Sequence, residues 1–583
     1  MIFPNTLWLF AALVSLGIGQ TESPTAARQA AQDGIAAPAA AGQPEPTGDA
    51  DLTAAASATA LAIPVGRMRW HLPDPDAERD AALEKRREAA EANDRTTVRR
   101  IDRTIELVDQ TKRPERLLLS LEDVLRRTLE NNYAIEVARF NPAVEATRVV
   151  EAEAAFDAVF FTDVQKQNID RPSGSQLQST DLDTFSLGSG VRKQLMTGTQ
   201  LQGTFSLGRT KTNLAFQELN PEYASNFILD VRQPLLRNFG IDFNRSVIVL
   251  RQNDRRSSYY AFRRQVRDRL REAEELYWRL VQARRDVVIT ARLLAEFEQI
   301  LEYLDARKDF DIIPVQLNST RASLEQSRAD FVVRVANVYD AEDRLIAVMN
   351  ASDVHLADQM EIVPTDVPEY GRIVVDRLSE VQTALDHRPE IVEQRLAVAS
   401  AKIGVGQARN AELPRLDLTF REAIDGLGSN FDDAFDQATT SNFIEYAIGV
   451  EFELPIGNRG PRAATKRARL VYAQAVAAMR QVFEQVILDV NLAVRRLSTT
   501  YDAIGPSFES AEAREREVDS IVARAERKDF LVLNNELSAR QSLASARRGM
   551  LTALIEYNIA VVDLERAKGT LLDYNNVVIP NEP

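Results

Sequence analysis

The chain has 583 residues and a formal net charge of −15, with 71 Lys and Arg against 86 Asp and Glu, no cysteine and three histidines. The missing thiols exclude a disulfide scaffold, a thiolate metal site, a cysteine nucleophile and a lipid-modified N-terminal Cys. An acidic balance argues against nucleic acid as a partner, because a phosphate-tracking surface is basic. His71, His355 and His387 lie far apart with no second ligand nearby, so neither a metal nor a cofactor is expected.

Residues 2–19 are almost wholly apolar and end in small residues, which predicts a cleaved signal peptide over 1–20, although no Lys or Arg precedes the apolar core. The alternative is an N-terminal anchor. Residues 21–75 are rich in Ala and Pro and cannot bury a core, so they read as a disordered linker. Residues 76–116 form a densely charged N-terminal extension of helical composition, expected to be loosely attached. Beyond Ile63 no run of 18 apolar residues exists, so no transmembrane helix is expected.

A first repeat spans 117–350. Ser120 and Asp123 open it with a capping-box pattern ahead of Val124, Leu125, Thr128 and Leu129, which predicts a helix to about Ala155, bent at Pro142. The period then changes from 3.6 to 2 within 158–235: strands are predicted at Val159–Gln165 and Asn226–Gln233, with a hairpin between them turning at Thr197-Gly198. Helical periodicity resumes at about Asn244 and holds to Leu304, roughly 90 Å at 1.5 Å per residue. A tip at 306–316 follows, where Pro314 suits the first turn of a helix returning to about Met349.

After a linker at 351–374, a second repeat spans 375–575, ahead of a short tail at 576–583. Leu129–Ala155 lies over Leu385–Ala411 without a gap, matching Ile135 to Ile391, Val149 to Val405 and Ala152 to Ala408. Strands recur within 415–455: Leu416, Leu418 and Phe420 alternate with polar residues, then a Gly/Asp/Asn-rich loop from Asp425 to Asn442 leads to Ile444, Tyr446, Ile448, Val450, Phe452 and Leu454. Pro455 repeats Pro234 at the strand-to-helix junction. The next long helix is expected from about Ala463 to a second tip at 526–536. Both tips carry the tetrapeptide RKDF, as Arg307, Lys308, Asp309, Phe310 and Arg527, Lys528, Asp529, Phe530. Such internal repetition, once found, sets the architecture.

The strands pose a solvent problem, since each has one apolar and one polar face and no segment is apolar enough to cover a large soluble sheet. A barrel wall between lipid and water solves it. One chain has too few strands for a water-filled barrel, so several chains must share one.

The order of these elements, the QPLL and ELPIGNR junctions at 233–236 and 453–459, and the closing VDLERAKGTLL at 562–572 resemble the TolC family of outer-membrane efflux proteins over residues 117–575. That resemblance implies an α+β membrane protein built from a duplicated helix, strands, long helix and helix unit. It implies a homotrimer whose chains complete one β-barrel in outer-membrane lipid, continued by a long α-helical barrel across the periplasm. It further implies a periplasmic adaptor protein and an inner-membrane transporter as partners, with the tips at Arg307–Phe310 and Arg527–Phe530 at the periplasmic entrance. Asp309 and Asp529 stand where the family usually has Gly, and Pro314 is unusual there. The hairpin from Thr184 to Thr212 exceeds the two strands per half of the best-known members, leaving four or six strands per chain. No nucleophile triad, P-loop or metal cluster points to an enzyme. The competing reading is an exported periplasmic coiled-coil spacer without a channel.

Overall fold

The structure is a computed structural model that describes residues 95–579, except 114, 173–178, 215, 310–312, 352, 355–359 and 525–529. The expected signal peptide, the linker and the start of the charged extension lie outside the described residues, as do residues 580–583 of the tail.

Each half begins with a helix that breaks once. In the first half, α2 (Leu121–Asn131) opens on the Ser120 capping box and α3 (Tyr133–Glu153) follows after Asn132. In the second, α7 (Arg377–His387) and α8 (Pro389–Glu412) meet at Arg388. The two pairs lie 256 positions apart at every boundary except the last. The predicted bend at Pro142 is corrected: Pro142 sits buried inside α3, and the chain breaks ten residues earlier. Asn132 causes the break, since its extended backbone ends α2 while its side-chain oxygen accepts from the amides of Ala134 and Ile135, capping α3. A proline within a helix removes one backbone bond, a local loss that the flanking turns absorb.

Four strands follow α3: β2 (Val159–Asp170), β3 (Asp181–Gln194), β4 (Gln200–Thr212) and β5 (Glu222–Pro234). A short α4 (Ile241–Asn244) leads into α5 (Ser246–Ala306), 61 residues and about 92 Å long. The chain returns along α6, whose range Pro314–Met349 starts with the predicted proline in its first turn. The second half supplies β7 (Arg415–Gly428), α9 (Phe431–Thr439), β8 (Ile444–Glu453), α10 (Arg459–Arg524), α11 (Phe530–Lys568) and α12 (Leu571–Tyr574).

The six strands from β2 to β5 with β7 and β8 form one sheet, antiparallel throughout, in the order β2-β3-β4-β5-β7-β8. The question of four or six strands is thereby answered with six. A second, two-stranded sheet pairs β1 (Glu115–Leu119) in parallel with β6 (Met360–Pro364), so the start of the first repeat is stitched to the segment between the repeats. Beneath that pair, the buried Arg284 donates to Glu361 at 2.5 Å and to the Ile362 carbonyl at 3.1 Å. The charged extension is not loosely attached where it is described. Helix α1 (Arg95–Asp109) packs on α5 through the buried Leu107, and Arg103 binds Glu298 with both Nε and Nη2.

The largest core cluster among the described residues lies midway along α5, where Leu119, Val124 and Ile135 meet Leu270, Tyr277 and Leu280 of α5, Leu345 and Met349 of α6, and Leu551 and Ile555 of α11. Among the described residues no helix is long and apolar enough to cross a membrane.

Candidate channel wall and tip

The pairing register puts most of the strands' apolar residues on one side, because directly opposed residues of antiparallel strands share a face. Phe205 faces Phe227, which faces Ile424, which faces Ile444. Leu201, Val231, Phe420 and Ile448 form a second such row. On β8 the alternate residues Ile444, Tyr446, Ile448, Val450 and Phe452 are 53% to 74% exposed. Nine strand residues cover about 27 Å along the strand, close to the roughly 25 Å apolar band of an outer-membrane barrel. Charges on this face gather at the loop end, as Lys166, Asp183, Arg209 and Lys211, and at Lys193 near the helices, with Glu422 the mid-strand exception.

The opposite face is mainly polar, with Val159, Phe161, Ile169, Leu182, Ile228 and Leu427 as its larger apolar residues. Near the helices, Asp417 is buried between Arg232 and Arg415, each with its Nε at 2.8 Å, and both arginines continue to Glu451. A water-facing wall tolerates such a network, whereas hydrocarbon does not.

Helix α9 lies on the apolar face at the loop end. Phe435 meets the rings of Phe205 and Phe227 at 5.9 and 6.1 Å, and Phe431 meets Tyr223 at 4.6 Å. The approach depends on Gly426, where an added Cβ would stand 2.0 Å from the Ala434 carbonyl oxygen. The composition of Asp425–Asn442 predicts a loop, and the structure folds its middle as a helix. Its signal was nonetheless present: the Asn430 cap, Asp432 and Asp433 in the first turn, and Phe431, Ala434, Phe435 and Ala438 at helical spacing.

Pro234 ends β5 and Pro455 follows β8, each ahead of a turn with left-handed backbone: Asn238 and Gly240 in the first, Gly457 and Asn458 in the second. The Asn238 amide donates to the Asn410 side chain, and the Asn458 side chain to the Glu412 carbonyl, so both junctions are tied to the end of α8.

Of the tip residues, Arg307, Lys308 and Asp309 form the turn after α5. Lys308 and Asp309 are exposed, while Arg307 stacks on Tyr303 with its guanidinium 5.4 Å from the ring centre and donates to the Tyr303 hydroxyl. Phe310, Arg527, Lys528 and Asp529 lie outside the described residues, and Phe530 is the first residue of α11. Beneath the turns one cluster joins Leu304 and Leu324 to Leu533 and Leu537, so the two hairpin ends adjoin. Arg540 of α11 locks the same region, with 2.8 Å to Glu296 and 2.9 Å to Glu536. Among the described residues no group of His, Asp and Glu is arranged to hold a metal ion.

The sheet and helices together define an outer-membrane channel fold. Solved structures share it: CusC (15% identity, TM-score 0.58, 77% of this chain and 92% of that one), Campylobacter jejuni CmeC (15%, 0.57, 77% and 86%) and Neisseria gonorrhoeae MtrE in its open state (16%, 0.56, 77% and 89%). Residues 381–570 match the family model described as outer membrane efflux protein. The second half thus matches the outer membrane efflux protein family, and the whole fold is similar to that of the solved outer-membrane channels. No curated protein matches it.

Proposed function

We propose that three copies of this chain close into one β-barrel and one helical tunnel, forming the passive exit duct of a tripartite efflux or type I secretion system. The observation that carries the reading is the six-stranded sheet itself, with an exposed apolar face and two unpaired edges, β2 and β8. An open, long edge is a template for another strand, and a ring of chains removes it. The helices support the same assembly: α3 exposes Tyr133, Val137, Phe140 and Val144 at heptad spacing, 49% to 67% exposed, a seam suited to a helix of a neighbouring copy.

In this reading the two tips meet a periplasmic adaptor, and an inner-membrane pump delivers the cargo. The duct does no chemistry. Purified chain should run as a trimer by mass in detergent and conduct ions in a planar bilayer. Recovery from the soluble periplasmic fraction as a non-conducting coiled coil would favour the spacer instead.

A further inference from the structure

We propose that the hairpin β3–β4 widens the barrel, giving an eighteen-stranded wall whose bore admits cargo too bulky for a twelve-stranded one; the inference rests on the three-chain ring. The second repeat carries two strands and the first carries four, so the surplus is one hairpin. The starts of β2 and β7, Val159 and Arg415, are 256 positions apart, but the starts of α5 and α10, Ser246 and Arg459, are only 213 apart. The first repeat therefore holds 43 more residues between those points, and the helices on either side keep their correspondence.

The hairpin is part of the wall and not a loop laid over it. It pairs along its length with β2 on one side and β5 on the other. Its helix-side turn is clamped to the junction between β5 and α4: the Gly240 amide donates to the Thr197 carbonyl, and Gly198, with φ +94°, lies where a Cβ would meet the Asn238 oxygen at 2.4 Å. At the loop end the Asn213 side chain accepts from the Thr180 and Asp181 amides, tying its two flanking loops together. Adding two strands also preserves the alternation of direction, so β8 still meets the β2 of the next copy antiparallel.

On the polar face its mid-strand residues are small, Ser186, Gly188, Gly190, Thr204, Ser206 and Gly208, while the longer Arg192, Gln194, Gln200 and Gln202 stand near the helices and Leu182 at the loop end. The added circumference is thus added bore. With strands about 4.8 Å apart and tilted about 40°, twelve strands give a backbone diameter of about 24 Å and eighteen about 36 Å, since diameter grows with strand number.

The absence of native cysteine makes the test clean. Thr419→Cys, on the polar face of β7, is exposed to maleimide-polyethylene glycols of graded size in the full chain and in a chain lacking residues 181–212. The largest reagent that reacts should be smaller in the deletion; equal cut-offs overturn the proposal. If the deletion does not assemble, electron microscopy of the full-length ring decides, since eighteen strands support the wall and twelve overturn it. Paired substitutions along β2 and β8, beginning with Val159→Cys and Glu453→Cys, should give a cross-linked trimer. Absence of that trimer sinks the ring reading itself, whereas a trimer with equal cut-offs sinks only the wide wall.

Discussion

Arg267 of α5 and Glu390 of α8 form an ion pair inside the helical layer, with Nη2 2.8 Å from Oε1 and Arg267 only 2% exposed. Arg388, at the break between α7 and α8, reaches the same carboxylate and also Asp489 of α10. The pair therefore ties the two repeats together. Burial would raise the Glu390 carboxyl, but the two guanidiniums outweigh it and hold it down to about 2. A depressed carboxyl stabilises the fold above the unfolded value near 4.5 and loses that contribution as pH falls toward 2. Glu390→Gln should cost about 3 kcal/mol at pH 7, by leaving buried positive charge, and parent and variant should converge in acid. Denaturant titrations at pH 7 and pH 3 check this; equal stability at pH 7 would contradict it.

Glu274, on α5 and 3% exposed, behaves oppositely. Burial pushes its carboxyl up to about 7, opposed only by a long hydrogen bond of 3.4 Å from the Asn575 side chain. The folded chain holds the proton more tightly than the unfolded one, so stability is full below about 4.5 and declines as pH rises through 7. Glu274→Gln should leave stability at pH 4 unchanged and raise it at pH 8, flattening the pH profile. A variant whose melting temperature tracks the parent at both pH values would refute the assignment.

Gly426→Ala should lift α9 from the sheet, because the added methyl cannot coexist with the Ala434 carbonyl oxygen. Faster protease cleavage within 431–439 and a stability loss of about 1–3 kcal/mol are expected. Gly208→Ala is the control, since its methyl would meet nothing closer than Ala224 at 3.9 Å.

At the tips, Phe310→Ala combined with Phe530→Ala should abolish export while trimers still form, if these residues contact the adaptor. Unchanged drug susceptibility in cells that depend on this duct would refute a contact role. Loss of trimers would instead assign both residues to packing.

Much of the architecture was legible because it rests on local periodicity. The change from period 3.6 to 2 located the strands, and the gapless correspondence of Ile135 with Ile391 exposed the duplication that the helix boundaries reproduce. What escaped depends on distant partners or on competing local signals. The pairing of Glu115 with Met360 joins segments 245 positions apart, which no window of sequence can reveal. Pro142 is a louder signal than Asn132, yet Asn132 sets the break because its side chain replaces the amide partners that the helix end loses. At the tips, the repeated RKDF marked the turn after α5, but the stacking of Arg307 on Tyr303 depends on a ring four residues back that the tetrapeptide does not contain.

Within the chain, β5 of the first repeat pairs with β7 of the second. In a ring, β8 would pair with the next copy's β2, so both seams join a first half to a second half. The helical part then approximates sixfold symmetry, since each half supplies the same order of main helices at similar lengths. The wall, built of alternating four-stranded and two-stranded panels, retains only threefold symmetry. The junctions around Asn238 and Asn458 are where one symmetry must give way to the other.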